Sequence, residues 1–150
     1  MIMTPISIHF KRLRPQALAP VYGTAGAAGA DLHACLEQAV SIGPNETRFI
    51  GTGLAMELPC GYVGLIFGRS GLACKSDLAP ANKVGVLDSD YRGEIMIALH
   101  NHGTQVRTVS PGERIAQIVI VPYPAVCFDE VAVLSETDRG AGGFGSTGKE

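Results

Sequence analysis

Long apolar runs are missing from this 150-residue sequence. Nothing approaches the ~18 consecutive apolar residues of a membrane-spanning helix, so no membrane partner is expected. The opening stretch MIMTPISIHFKRLR places its basic residues after a short apolar stretch. A secretory leader has the reverse order, so a soluble, cytoplasmic protein is expected. Charge of one sign is scarce too: the formal net charge is −2, and no basic run exceeds two residues. That argues against a nucleic-acid polymer as the main partner. Cysteine is limited to Cys35, Cys60, Cys74 and Cys127, with no C-x-x-C pair. Neither a zinc site nor a disulfide framework is implied, and reduced thiols are the default. Helical periodicity is also lacking, with no window of about 11 residues or more repeating at 3.6. No internal repeat or linker divides the chain, whose length suits one domain with a sizeable core.

What the sequence does have is alternation and turns. Ile6, Ile8 and Phe10 alternate with Ser7, His9 and Lys11, and Leu54, Met56 and Leu58 alternate with Ala55 and Glu57. Ile95, Ile97 and Leu99 alternate with Glu94, Met96 and Ala98. This is the period of a half-buried strand. Residues 115–121 and 126–134 are rich in β-branched side chains, and 62–67 reads as a further strand. Gly43-Pro44-Asn45, Pro59-Cys60-Gly61, His102-Gly103 and Pro111-Gly112 mark turns between them. With 19 glycines, 9 prolines and only 6% aromatics, short strands at intervals of roughly 8–12 residues indicate an all-β sandwich, jelly roll or barrel. The one plausible helix is a turn or two over 71–77. The chain changes character after about Leu134, which divides it into a body (1–134) and a C-terminal arm (135–150).

That arm contains Arg139-Gly140-Ala141-Gly142-Gly143-Phe144-Gly145-Ser146-Thr147-Gly148. Five glycines in ten positions disfavour both helix and packed strand. A frayed end is one reading; a flap whose backbone N–H groups, Arg139, Ser146 and Thr147 meet a phosphorylated ligand is the other. Two phosphate-binding patterns fail here on context. Gly140-x-Gly142-x-x-Gly145 lacks the following helix and acidic residue, and GFGSTGK ends on Glu150 where Ser or Thr is required. A flap of this kind has to close on a site built elsewhere.

Four internal segments could build it. Asp88-Ser89-Asp90-Tyr91-Arg92-Gly93-Glu94 follows an apolar stretch and precedes a clear strand, so it should form the turn of a β-hairpin. A surface turn explains it, as does a carboxylate beside a phosphate; calcium does not, because Leu99 stands where the loop needs Glu. An aspartate is a weak base and helps only if it holds water in line with its target. Gly68-Arg69-Ser70-Gly71 opens the helical segment and fits either a capped helix start or an anion site. Ala28-Gly29-Ala30-Asp31-Leu32 sets one acid in an apolar strand, where it is either a satisfied polar residue or a carboxylate facing a site. Gly112-Glu113-Arg114-Ile115-Ala116-Gln117 places Arg114 and Gln117 at the entrance of a buried strand, and in isolation reads as a β-turn with a charged rim. His100 and His102 share a strand face, but no third metal ligand is in view.

Taken in order, AGADLHA (28–34), GRSGLA (68–73), NKVGVLDSDYRGE (82–94), GERIAQ (112–117) and RGAGGFGSTG (139–148) resemble the five motifs of the trimeric dUTP pyrophosphatase family. The third and fifth are the specific ones, and the likeness spans nearly the whole chain. The resemblance implies a distorted β jelly roll with one short helix. It also implies a homotrimer with sites shared at subunit junctions, and hydrolysis of dUTP to dUMP and pyrophosphate with Mg2+ carried on the triphosphate.

Residue by residue, the resemblance makes Asp88 the holder of the attacking water and Gln117 a polar residue near that water and the phosphates. Tyr91 packs on the deoxyribose and excludes a 2′-hydroxyl. Asn82 and the backbone of Val86, Leu87 and Asp88 read the uracil edge, and Met96 is a further substrate contact. Arg69, Ser70 and Gly71 form a phosphate-binding turn. Asp31 lies near magnesium-bound water. Arg139, Gly145, Ser146 and Thr147 meet the γ-phosphate, and Phe144 stacks on uracil. Gly68 stands where proline is commoner in the family, and CKSDLAPA lacks a usual basic segment. The alternatives are a dCTP deaminase-like enzyme of the same fold, which does not predict the D-S-D-Y segment together with this arm, and a nucleotide-binding regulatory protein, which the intact Asp88 disfavours.

Overall fold

The computed structural model describes residues 5–143. Its strands are β1 (His9–Arg12), β2 (Val21–Tyr22), β3 (Ala30–His33), β4 (Val40–Ile42), β5 (Thr47–Gly51), β6 (Leu54–Glu57), β7 (Tyr62–Phe67), β8 (Leu78–Pro80), β9 (Val84–Leu87), β10 (Met96–Asn101), β11 (Arg107–Val109) and β12 (Arg114–Pro122). A single described helix, α1 (Ser70–Ser76), sits between β7 and β8. It stops at Asp77, a left-handed residue (φ 54°) whose N–H is bonded to the Leu72 carbonyl. This is the all-β jelly roll with one short helix that the sequence indicates.

Every described strand pair is antiparallel. The largest sheet runs β2-β3-β12-β7-β9, and smaller sheets pair β1 with β6, β4 with β11, and β10 with both β5 and β8. The inward faces meet in one core in which Leu32, Ile42, Ile50, Leu54, Leu78, Leu99, Val109 and Ile115 are fully buried. Among the described residues two polar side chains are buried with them, and both are satisfied. Asn101 donates to the carbonyls of Ile42 (2.9 Å) and Gln105 (2.8 Å) and accepts from Gly103 N–H (2.9 Å). The Thr52 hydroxyl donates to the Ile95 carbonyl (2.8 Å). A buried polar group with all its bonds made fixes its loop rather than weakening the core.

Three expectations need correction. The alternation over 6–10 yields a strand only from His9, and all four β1 residues are exposed. Residues 88–94 do not turn a hairpin: β9 pairs with β7, whereas β10 pairs with β5 and β8, so the segment crosses from one sheet to another. Residues 126–134 form no strand. The last strand ends at Pro122, and the chain from 123 to 143 is irregular, with Phe128 93% and Leu134 82% exposed. β-Branched composition favours an extended backbone, but a strand needs a partner edge, and this stretch has none among the described residues.

Candidate active site

Strand register builds the first half of the site. Gln117 on β12 lies opposite Asp31 on β3 and opposite Phe67 on β7. That row places three separate sequence segments side by side at one end of the sheet. The Asp31 carboxylate, only 13% exposed, accepts from Arg69 Nε at 2.7 Å and from Arg114 Nη1 at 3.2 Å. Because Arg69 uses Nε for this pair, its two terminal amino groups have no protein partner among the described residues. Gln117 Nε2 donates to the Gly68 carbonyl at 2.9 Å and so holds the turn before Arg69. Gly29 makes room for it, since a Cβ there would come within 2.5 Å of Gln117 Oε1. Ser70 and Gly71 begin α1, where backbone N–H groups lack helical partners. Together these residues line an open cleft of about 220 Å³, rich in donors and suited to an anion.

His33, opposite Arg114 across the two strands, adds a pH dependence. Burial, the main cause, holds its imidazole below the ordinary 6.5; Asp31 opposes this, while Arg114 and Arg69 add to it. In the fold it therefore binds fewer protons than in the unfolded chain. Stability present at neutral pH is lost as pH falls from about 6.5 through the lowered folded value. Thermal unfolding followed between pH 7.5 and 5 should show a shallower acid loss in His33→Gln than in the wild type; superimposable pH profiles would rule this out.

The second half lies along β9. Asn82, Gly85, Val86, Leu87, Asp88, Tyr91, Glu94 and Met96 are among the residues lining a cleft of about 240 Å³. Asn82 sits on a turn in which Lys83 adopts φ 65° and Val84 N–H bonds back to the Asn82 carbonyl at 2.7 Å. Asp88 is exposed just beyond Leu87. Tyr91 is 46% exposed, with its hydroxyl donating to the Glu94 carbonyl at 3.1 Å. Its ring lies over Gly93, where any Cβ would overlap the Tyr91 hydroxyl. Gly93 is thus required for a close approach, not for its backbone angle. The cleft combines apolar walls, an amide side chain, two acidic residues and one phenol, a set that fits a nucleoside better than a bare anion.

The sequence candidates therefore fall into two groups. Asp31, Arg69, Ser70, Gly71 and Gln117 share the arginine cleft, and Asn82, Val86, Leu87, Asp88, Tyr91 and Met96 share the other. Within one chain the two do not merge. Leu87 pairs with Gly64 near the start of β7, while Arg69 follows Phe67 at its end, so Asp88 and Arg69 are separated by a strand length, on the order of 15–20 Å. Arg139 is exposed, bonding its own turn through Nε to the Gly142 carbonyl at 2.8 Å. Phe144, Gly145, Ser146 and Thr147 lie outside the described residues. Among the described residues no three His, Cys, Asp or Glu side chains cluster to hold a metal, and His100 and His102 only pack edge to face. Arg114 and Glu94 entered the sequence reading only as parts of motifs. Their roles depend on partners dozens of residues away, which local spacing does not reveal.

A β jelly roll carrying a donor-rich anion cleft and a separate carboxylate-bearing nucleoside cleft defines a nucleotide-binding protein. The dUTPase family model matches residues 16–148. The deoxyuridine 5′-triphosphate nucleotidohydrolase of Acinetobacter baylyi is 45% identical over 146 residues, covering 97% of each chain. Its counterpart from Janthinobacterium is 45% identical over 148 residues, covering 98% of this chain and 99% of that one. Among solved structures, the dUTPase of Staphylococcus bacteriophage 80alpha with dUPNHPP superposes with a TM-score of 0.88 at 29% identity, covering 95% of this chain and 99% of that one. The chain belongs to the dUTPase family.

Proposed function

We infer that this protein hydrolyses dUTP to dUMP and pyrophosphate, limiting uracil entry into DNA and supplying dUMP for thymidylate synthesis. The observation that carries this reading is the pairing of a nucleoside cleft ending in Asp88 with an anion cleft centred on Arg69, on a chain of this family. Asp88 orients a water and takes its proton as the water oxygen bonds to the α-phosphorus. The bond from that phosphorus to the bridging oxygen breaks, and pyrophosphate leaves. Little covalent work falls to the protein, so positioning and charge neutralisation carry the rate. Arg69, with Ser70 and Gly71, meets the phosphates, and Gln117 holds that turn in place. The backbone from Val86 to Asp88, with Asn82, reads the uracil edge. Cytosine reverses a donor and an acceptor there, leaving buried groups unpaired at ~1–3 kcal/mol each. Tyr91 occupies the space a ribose 2′-hydroxyl would need, and Met96 lines the same cleft.

Mg2+, carried in on the triphosphate, supplies further charge neutralisation on the leaving pyrophosphate. The donor set suits an ion that arrives with the substrate: both Asp31 oxygens already accept an arginine, which leaves Asp31 lone pairs for metal-bound water rather than for the metal. Residues 1–134 act as the jelly-roll body and 135–150 as an arm, in which Arg139 and the Phe144–Thr147 stretch close over base and γ-phosphate. The strand-length separation of the two clefts supports a homotrimer in which each site joins clefts of neighbouring subunits. Exposed Phe49, Val86, Phe128, Val133 and Leu134 supply apolar surface for that assembly. No described helix is long and apolar enough to cross a membrane, and the protein's place is the cytoplasm.

The test offers dUTP, dCTP, dTTP and UTP with Mg2+ and measures pyrophosphate and ammonia separately. Pyrophosphate from dUTP alone is the expected result; ammonia release from dCTP would replace this reading with a deaminase. A solution mass of 15.7 kDa in a fully active preparation would remove the shared site.

A further inference from the structure

The loop from Asp88 to Glu94 has two external anchors of different kinds. At its outer side Arg92 donates to the carbonyls of Ser89 (2.6 Å) and Tyr91 (3.0 Å) and lies 3.5 Å from Glu57. This is an exposed pair, of the sort that contributes little. At its inner end the half-buried Glu94 carboxylate takes two donors on one oxygen, the Arg14 guanidinium and Gly53 N–H at 2.8 Å. Space is made for that contact: a Cβ on Gly51 would overlap Glu94 Oε1 and come within 2.6 Å of Arg14 Nη2. The backbone around both partners is fixed. Leu13 N–H bonds to the Gly53 carbonyl (2.8 Å), Thr52 N–H to the Ile95 carbonyl (3.1 Å), and Ile95 N–H to the Leu54 carbonyl (2.8 Å). Arg14 Nε is buried with no partner in the described structure, so the pairing to Glu94 is what holds this guanidinium in place.

Glu94 faces two ways. Its carboxylate meets Arg14, and its carbonyl accepts the Tyr91 hydroxyl. The geometry assigns Arg14 as a positioning residue for sugar selection, acting through Glu94 on Tyr91. No side-chain atom of Arg14 lines the nucleoside cleft, and it lies 80 positions from Glu94 in sequence. The inference rests on the dUTP-hydrolase reading for its sugar half and on the geometry alone for its anchoring half.

The experiment uses the full chain and the variants Arg14→Met, Arg14→Lys, Glu94→Gln and the Arg14→Met/Glu94→Gln double. In the nucleotide-free protein, amide exchange over 88–95 and 51–54 should rise about fivefold or more in Arg14→Met, with the remaining strands unchanged. With substrate, the KM for dUTP should rise about fivefold and the preference for dUTP over UTP should fall about tenfold, while kcat stays within about threefold. Arg14→Lys should recover part of the preference, and the double variant should lose no more than the worse single one. A uniform rise in exchange with equal losses on both substrates would mean a merely structural residue and would overturn the proposal. So would unchanged exchange over 88–95, or locally raised exchange with an unchanged dUTP preference. A wild-type protein inert toward dUTP would sink the hydrolase reading and with it the sugar half, and the exchange measurement would still decide the anchor.

Discussion

Asp88→Asn should lower dUTP turnover by at least about 10³-fold while leaving the affinity for a non-hydrolysable dUTP analogue within about threefold. The substitution keeps shape, removes the ability to accept a proton, and turns one of the two acceptor oxygens into an NH2 donor. Asp88 follows the buried Leu87 and is itself exposed, so the amide disturbs no packing. Removing a negative charge near a polyphosphate also eases binding slightly, which separates a chemical defect from a binding defect. Single-turnover hydrolysis and calorimetric titration measure the two quantities. Residual activity above about 5% of wild type would end the general-base assignment.

Arg69→Met should cost kcat/KM about 10²- to 10³-fold, because the proposed charge-assisted contact to the phosphates would disappear where negative charge accumulates. It also strips Asp31 of its shorter partner, leaving the longer contact with Arg114. A carboxylate this buried loses stability when a partner goes, on the order of 1–2 kcal/mol with one arginine remaining. Arg69→Lys retains charge but not the fork that meets Asp31 through Nε and leaves the terminal nitrogens free, so it should fall between the two. Steady-state kinetics together with thermal unfolding separate the effects. An Arg69→Met enzyme within about tenfold of wild type in kcat/KM would remove Arg69 from the phosphate site.

Much of this was legible in the sequence because the chemistry-bearing segments are short and contiguous. GRSG at the end of a strand and D-S-D-Y after an apolar stretch identify themselves by local composition. Asp31, Gln117 and Arg69 are a different case. Each is weak alone, and only the register that sets Asp31 and Phe67 on either side of Gln117 makes them one cleft. Period-2 alternation reveals that β10 is a strand but not which sheet it joins, which is why 88–94 reads as a hairpin and is in fact a crossing between sheets. β2, β4, β5, β8 and β11 are two to five residues long, too short for a period to register. Residues 126–134 have strand composition without a strand, since pairing is a property of the neighbourhood and not of the side chains. Arg14 carries no local signal at all: its importance comes from a contact 80 residues away.

The placement of Asp88 and Arg69 toward opposite ends of β7 has a genetic consequence. If neighbouring subunits each contribute one cleft, two dead chains can mend each other. An Asp88→Asn subunit keeps a good arginine cleft, and an Arg69→Met subunit keeps a good nucleoside cleft. Denatured together in equal amounts and refolded, they should form mixed assemblies in which about one junction in four joins the two intact halves. Activity should then return to about a quarter of wild type from two preparations that are each nearly inert. Intragenic complementation of this kind would let a cell carrying two different null alleles keep its uracil in check.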